Sequence, residues 1–121
     1  MRDYGGASLH EQSHGQSFLS LLVHRFGPNG LYLLDEPEAA LSPQGQLAML
    51  AHVHALVSEG CQFVVATHSP ILLSFPDARI YELSDDGIAT VEYDESETVT
   101  LYRSFLAAPD RYHRRLVADD D

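Results

Sequence analysis

The sequence predicts an α/β fold in which helices cover a small parallel sheet. Two short apolar runs, at about 31–34 and 63–67, have the length and composition of buried strands. Between them, apolar residues recur at helical spacing over 43–58. A strand, a helix and a second strand in this order form a right-handed parallel crossover. Because neither run alternates with polar residues, we expect burial on both faces of the strands and therefore three layers.

Each remaining element has its own start and stop signals. A first helix is expected at 13–25, and the crossover helix has Ser42 and Pro43 as N-cap and first residue and Gly60 as its stop. An Asp-Gly signal at Asp86 and Gly87 predicts the tip of an antiparallel hairpin over 79–93. Two short helices are expected at 97–107 and 110–117, separated at a proline.

Composition limits the classes of function. The 121 residues carry 7 basic and 18 acidic side chains, a formal net charge of −11, so a single domain over 1–118 with a frayed acidic tail at 119–121 is expected. All seven basic residues are arginines, which excludes mechanisms that need a lysine of this chain. The acidic balance allows nucleic-acid binding only through a larger assembly. No apolar run approaches the length of a membrane span, so a cytoplasmic protein is expected.

Polar clusters lie at the ends of the predicted elements. In open α/β sheets, ligands bind beyond the carboxyl ends of the strands, and these ends carry Asp35, Glu36 and His68. One carboxylate can hold Mg²⁺, the next can polarise a water molecule, and the imidazole can contact a phosphoryl group. The clusters are Ser13-His14-Gly15-Gln16, Asp35-Glu36-Pro37-Glu38, Ala40-Leu41-Ser42 and Thr67-His68-Ser69-Pro70.

In this order, the clusters resemble the signature motif, Walker B strand, D-loop and switch-histidine loop of ATP-binding-cassette (ABC) ATPases. Glu38 after Asp-Glu-Pro, and the sequence Thr-His-Ser-Pro, are more similar to the soluble branch of AAA/ABC ATPases, akin to the structural-maintenance-of-chromosomes and OLD types, than to transporter subunits. The resemblance implies a partial P-loop NTPase-like fold, with ATP and Mg²⁺ as ligands.

The resemblance also implies roles for individual residues. Asp35 would orient Mg²⁺, Glu36 would be the general base, and His68 would sense the γ-phosphate. Ser42 stands where the D-loop usually ends in aspartate. The signature residues would face a nucleotide held by a second protomer; they are Ser13, His14, Gly15 and Gln16.

The Gly-rich phosphate loop with its lysine is absent from this sequence. The chain therefore resembles the C-terminal half of such an ATPase, truncated or split, which hydrolyses ATP only when a P-loop half is supplied and is inactive or very weak alone. Expected partners are that half or a second protomer, and an unpaired sheet edge favours a homo-oligomer.

Two alternatives remain open from the residues alone. One is a non-enzymatic dimerisation or interaction fragment. The other is a metal-dependent hydrolase that uses acidic and imidazole ligands directly, namely Asp35, Glu36, Glu38 and His68.

Overall fold

The computed structural model describes residues 29–120, with side chains through residue 118. The chain divides into two compact units, of which the first ends at Phe75 and the second begins at Pro76. The first unit contains β1 (Leu31–Asp35), α1 (Pro43–Ser58) and β2 (Gln62–Ala66). The second contains β3 (Ile80–Ser84), β4 (Gly87–Val91), α2 (Glu97–Ala107) and α3 (Pro109–Asp120). Short 3₁₀ turns lie at Pro37–Ala40, Leu72–Ser74 and Tyr93–Glu95.

The first unit is built on the predicted parallel pair of strands. β1 and β2 are parallel, in a register that begins with Leu31 opposite Gln62 and ends with Asp35 opposite Ala66. Because β1 and β2 end at the same level, the chain segments that follow them both leave the sheet at its carboxyl end. The predicted strand, helix, strand order is confirmed.

The crossover helix α1 has the bounds that its sequence signals predict. At its start the Ser42 side chain accepts a hydrogen bond of 3.0 Å from the Gly45 N–H. At its end Gly60 has a φ of 98°, and the N–H groups of Gly60 and Cys61 donate to the carbonyls of Val57 and Leu56. This is the Schellman arrangement, which satisfies the last carbonyls of a helix and favours glycine at its left-handed position.

The core of the first unit lies between the sheet and α1. Its buried residues come from β1, α1 and the loops; they are Leu34, Leu41, Met49, Val53 and Leu72. On the other face of the sheet, Leu31, Leu33 and Val64 are more than half exposed. The expectation that both strands are buried on both faces is therefore wrong for the described residues, since α1 covers one face only. The helix expected at 13–25 lies outside the described residues, so the third layer stays a prediction.

The second unit begins with an antiparallel hairpin. β3 and β4 pair from Ile80 opposite Val91 to Ser84 opposite Gly87. The hairpin is confirmed, but its tip consists of Asp85 and Asp86, and Gly87 is the first residue of β4. Gly87 has a φ of 120°, whereas neither aspartate has a positive φ. The glycine is therefore needed just after the turn, where the strand must restart with a left-handed residue.

Two helices complete the second unit. Ser96 is the N-cap of α2: its side chain accepts from the Val99 N–H at 3.3 Å. The Glu82 carboxylate accepts from the Glu97 N–H at 2.7 Å. The Tyr112 hydroxyl of α3 donates to Ser104 of α2 at 2.7 Å. α3 starts at Pro109, one residue earlier than predicted, because a proline fits the first turn of a helix.

No helix within the part of the chain that the structure describes is long and apolar enough to cross a membrane.

Candidate functional site

Two of the predicted site residues meet at the edge of the sheet where β1 and β2 end. The Glu36 N–H extends the ladder by one bond, donating to the Ala66 carbonyl at 2.7 Å. Beyond this point the Glu36 Oε2 and the His68 Nδ1 lie 3.8 Å apart. This distance is too long for a hydrogen bond but within reach of an ion pair when the imidazole is protonated. The side chains are 56% and 80% exposed, respectively, so a ligand could reach both.

Glu36 has an unusual backbone conformation. Its φ and ψ are 47° and 54°, in the left-handed region that a residue other than glycine rarely adopts. A residue before proline ordinarily has an extended backbone, so Glu36 departs from the preference that Pro37 imposes. The conformation is held by the bond to Ala66 and by the Ala39 N–H, which donates to the Glu36 carbonyl at 3.1 Å. Such strain is concentrated at functional sites in proteins.

Asp35 is the last residue of β1, and its side chain is exposed. Strand alternation places it on the sheet face of Leu31 and Leu33, away from α1. Mg²⁺ is commonly held by one or two carboxylates together with water and substrate phosphates. The adjacent carboxylates of Asp35 and Glu36 at an open sheet edge therefore fit such an ion, with Asp35 as the strand-end ligand.

Glu38 plays a part that the sequence did not reveal. Its Oε1 accepts from the Thr67 hydroxyl at 2.6 Å, and its Oε2 accepts from the His68 N–H at 3.0 Å. One carboxylate thus ties the turn after β1 to the loop after β2. Glu38 lies 29 and 30 residues from these partners, so no local sequence pattern signals the contact.

The environment of Glu38 favours its charged form. Partial burial raises the pKa of this carboxyl group, but the hydrogen bonds from Thr67 and from the His68 backbone, together with the nearby imidazole, lower it. The net effect is a pKa below the ordinary value of 4.5. Glu38 therefore accepts both hydrogen bonds as a carboxylate at neutral pH.

The loop after β2 is also anchored to α1. The Thr67 hydroxyl oxygen accepts from the Ser69 N–H at 2.9 Å, and the buried Ser69 hydroxyl donates to Gln46 of α1. The same Ser69 oxygen accepts from the N–H groups of Ile71 and Leu72, each at 3.1 Å. Ser69 was predicted only as part of the polar cluster; the structure gives it the role of fixing the loop around His68.

Ser42 serves as a helix cap. Its side chain accepts the Gly45 N–H at the start of α1, and the residue itself is exposed. Aspartate, which the resemblance to ABC ATPases leads us to expect at this position, is an equally good N-cap. The departure from the family pattern therefore preserves the local structure.

The signature cluster lies outside the described residues. Its members Ser13, His14, Gly15 and Gln16 keep their predicted role in nucleotide binding as a prediction.

The metal-dependent hydrolase needs a cluster of ligands that the described residues do not form. Within residues 29–120, no group of three or more His, Cys, Asp or Glu side chains could hold a metal ion. Glu38 instead directs both carboxylate oxygens to Thr67 and His68. This arrangement counts against Asp35, Glu36, Glu38 and His68 as a joint ligand set.

A comparison with protein families gives a match over residues 1–74, to the family described as "AAA domain, putative AbiEii toxin, Type IV TA system". The matched range includes the four motif clusters and the whole sheet of the first unit. The chain belongs to this AAA-domain family.

A curated relative points in the same direction. The chain is 36% identical over 58 residues to a protein of Methanothermobacter thermautotrophicus named "Putative ABC transporter ATP-binding protein". The aligned segment covers 48% of this chain and about a fifth of the relative (21%). Together, the two matches support membership of the AAA/ABC-type ATPases, and the small α/β unit is compatible with part of a P-loop NTPase fold.

Proposed function

We propose that this AAA-domain chain supplies the signature, Walker B, D-loop and switch-histidine elements of an ATP-hydrolysing site, and that a P-loop half completes the site. The observation that carries the proposal is the approach of Glu36 to His68, 3.8 Å apart where two parallel strands end. The match over residues 1–74 supports the same assignment, since all four elements fall within it. As the C-terminal half of the ATPase, this chain would contribute no phosphate-binding lysine.

The proposed chemistry divides among three side chains. Asp35 would hold Mg²⁺, which when bound neutralises charge on the ATP phosphates. Glu36 would accept a proton from the attacking water molecule, and the His68 imidazole would donate a hydrogen bond to the γ-phosphate. Catalysis of phosphoryl transfer consists almost entirely of positioning and electrostatic stabilisation. The placement of Glu36 and His68 just beyond the ends of two paired strands would provide that positioning.

The remaining elements require a partner. Ser13, His14, Gly15 and Gln16 would face a nucleotide bound by a second protomer, and Ser42 would lie at the contact between protomers. The partner is either the P-loop half or another copy of this chain in a homo-oligomer. Contact with nucleic acid would come through a larger assembly.

Calorimetry with ATP and Mg²⁺ is the first test. The chain alone should show no detectable binding. Clear binding with turnover abolished in Glu36→Gln would mean that this chain builds a complete nucleotide site, which would overturn the requirement for a P-loop half.

A fusion tests the hydrolytic role directly. The P-loop half of an ABC-type ATPase is joined ahead of Met1, and phosphate release from ATP is measured. Turnover should appear and should fall by at least about 100-fold in Glu36→Gln and His68→Ala. Glu59→Gln is the matched control, since Glu59 is an exposed carboxylate at the far end of α1. A fusion that folds, binds ATP and shows no turnover would contradict the proposal.

The second candidate is an interaction fragment without catalysis. The observation in its favour is the apolar sheet face formed by Leu31, Leu33 and Val64, which is more than half exposed at each residue. Exposed apolar surfaces of this kind are typical of protein contacts. Self-association without turnover in the fusion would favour this candidate.

A further inference from the structure

We propose that Glu38 is a positioning residue that clamps the loop after β2 and thereby keeps the His68 imidazole beside the Glu36 carboxylate. This inference deepens the proposed function, because it rests on the roles proposed for Glu36 and His68. It assigns a task to a residue whose two carboxylate oxygens are directed to protein partners.

The clamp holds both sides of the peptide bond between Thr67 and His68. The Thr67 hydroxyl donates to Oε1 of Glu38 at 2.6 Å, and the His68 N–H donates to Oε2 at 3.0 Å. With side chain and backbone fixed on the same carboxylate, the loop cannot slide along the strand end without breaking two bonds. The His68 side chain is left exposed and directed to within 3.8 Å of Glu36.

A second set of hydrogen bonds ties the same loop to α1. The Thr67 hydroxyl oxygen accepts from the Ser69 N–H at 2.9 Å, and the buried Ser69 hydroxyl donates to Gln46 of α1. The loop is therefore held from the β1 side by Glu38 and from the α1 side by Gln46. Glu36 is the N-cap of the 3₁₀ turn that contains Glu38, so the clamp ties the loop of His68 to the strand end that carries the proposed base.

A carboxylate is the group best suited to the clamp. Both partners present a hydrogen to Glu38, and a carboxylate accepts on both oxygens, whereas an amide accepts on one atom and donates on the other. Glutamine could keep the bond from the His68 N–H only by turning its NH₂ towards Thr67, whose hydroxyl would then have to accept instead of donate, and the charge would be lost. The lowered pKa of Glu38, caused by these hydrogen bonds against the opposing effect of burial, is consistent with a carboxylate held in its charged form.

Amide hydrogen exchange of the full chain tests the clamp without any nucleotide. In Glu38→Ala, exchange of the His68 N–H should become at least about tenfold faster, as expected for loss of a charge-assisted hydrogen bond. Glu38→Gln keeps one accepting oxygen and should give a smaller increase. Thr67→Val should give a smaller increase in the exchange rate, and Thr67→Ser should restore the wild-type rate. Glu95→Gln, an exposed carboxylate of the second unit, is the control and should leave the rate unchanged.

A double-mutant cycle in the P-loop fusion tests the consequence for catalysis. Glu38→Gln should lower kcat by about tenfold or more with KM nearly unchanged, and Thr67→Ser should behave like the wild type. In a His68→Ala background, Glu38→Gln should have no further effect, since its action passes through His68. A general loss of stability would instead reduce activity in both backgrounds.

The outcomes separate this proposal from the proposed function. An unchanged exchange rate of the His68 N–H in Glu38→Ala would overturn the clamp, whatever the fusion does. Faster exchange with an unaltered kcat would overturn the link to His68. Absence of turnover in the unsubstituted fusion would reject the ATPase itself, while the exchange data still decide whether Glu38 holds the loop. If Glu38→Ala does not fold, Thr67→Val and Thr67→Ser provide the same comparison.

Discussion

At the end of β1, two carboxylates of one short turn have different surroundings. Glu36 is exposed, and its Oε2 approaches His68, whereas Glu38 is half-buried and accepts from Thr67 and from the His68 backbone. The sequence indicated the meeting of Glu36 and His68, because both follow strands that pair in parallel. It could not indicate the task of Glu38, because the choice among possible partners is made by the tertiary fold.

Acid should weaken the first unit partly through Glu38. Because the folded-state pKa of Glu38 is lowered, its contribution to stability is complete above its ordinary value of 4.5 and is lost as the pH falls through the folded-state pKa. Glu38→Gln should therefore cost about 1–2 kcal/mol near neutral pH, and the difference from wild type should shrink as the pH falls below 4.5. Urea unfolding followed by circular dichroism across this pH range measures it. A difference that is constant with pH would contradict the prediction.

The N-cap of α1 provides a second test at a single residue. Ser42→Ala removes the acceptor for the Gly45 N–H and should lower the free energy of unfolding by about 1 kcal/mol. Ser42→Asp keeps a capping oxygen and adds a favourable charge at the helix start, so its stability should match or exceed that of the wild type. Thermal unfolding of the three proteins measures the difference. Equal destabilisation by both substitutions would show that the cap is not what Ser42 contributes.

The sequence predicts the boundaries of a helix or strand best where residues that favour a start or a stop lie next to it. α1 has the predicted bounds because Ser42, Pro43 and Gly60 act on their immediate neighbours. Burial was predicted less well, since exposure of Leu33 depends on what lies against the sheet and not on the strand itself. The predicted tip of the β3–β4 hairpin was wrong for a geometric reason. The positive φ lies just after the turn, at Gly87, and not within the turn itself.

α1 should tolerate substitution on one face only. Met49 is 2% exposed in the core of the first unit, whereas Leu47, two positions earlier on the same helix, is 53% exposed. Met49→Ala should destabilise the first unit by about 2–5 kcal/mol through lost burial and a cavity. Leu47→Ala is the matched control and should cost less than about 1 kcal/mol. Chemical denaturation measures both, and similar losses would contradict the packing of α1.

For the whole molecule, composition and motif order predicted the family better than they predicted the full architecture. The AAA-domain match covers residues 1–74 and ends close to the boundary between the two units. The expectation of one domain over 1–118 stays a prediction, as does the third layer of the sheet. Both depend on packing between distant segments, which the apolar pattern of a single segment does not specify.

Self-association is the prediction that belongs to the molecule as a whole. The exposed sheet face of the first unit leads us to expect a dimer or higher oligomer at micromolar concentration. Leu33→Glu should shift the mass towards the monomer, because it places a charge on that face. Leu83→Glu makes the same change at an exposed leucine of the second unit and should leave the mass unchanged. Light scattering measures all three, and a strictly monomeric wild type would refute the prediction.

The left-handed backbone of Glu36 has a consequence for how this site responds to selection. Glycine or asparagine would adopt a φ of 47° with less strain, so the carboxylate is kept at an estimated cost of roughly 1–2 kcal/mol. A library randomised at this position and sorted only for folded protein should enrich glycine and asparagine. The same library sorted for turnover in the fusion should return glutamate. Such a disagreement would show that Glu36 lowers the stability of the folded chain and is retained for its role in hydrolysis.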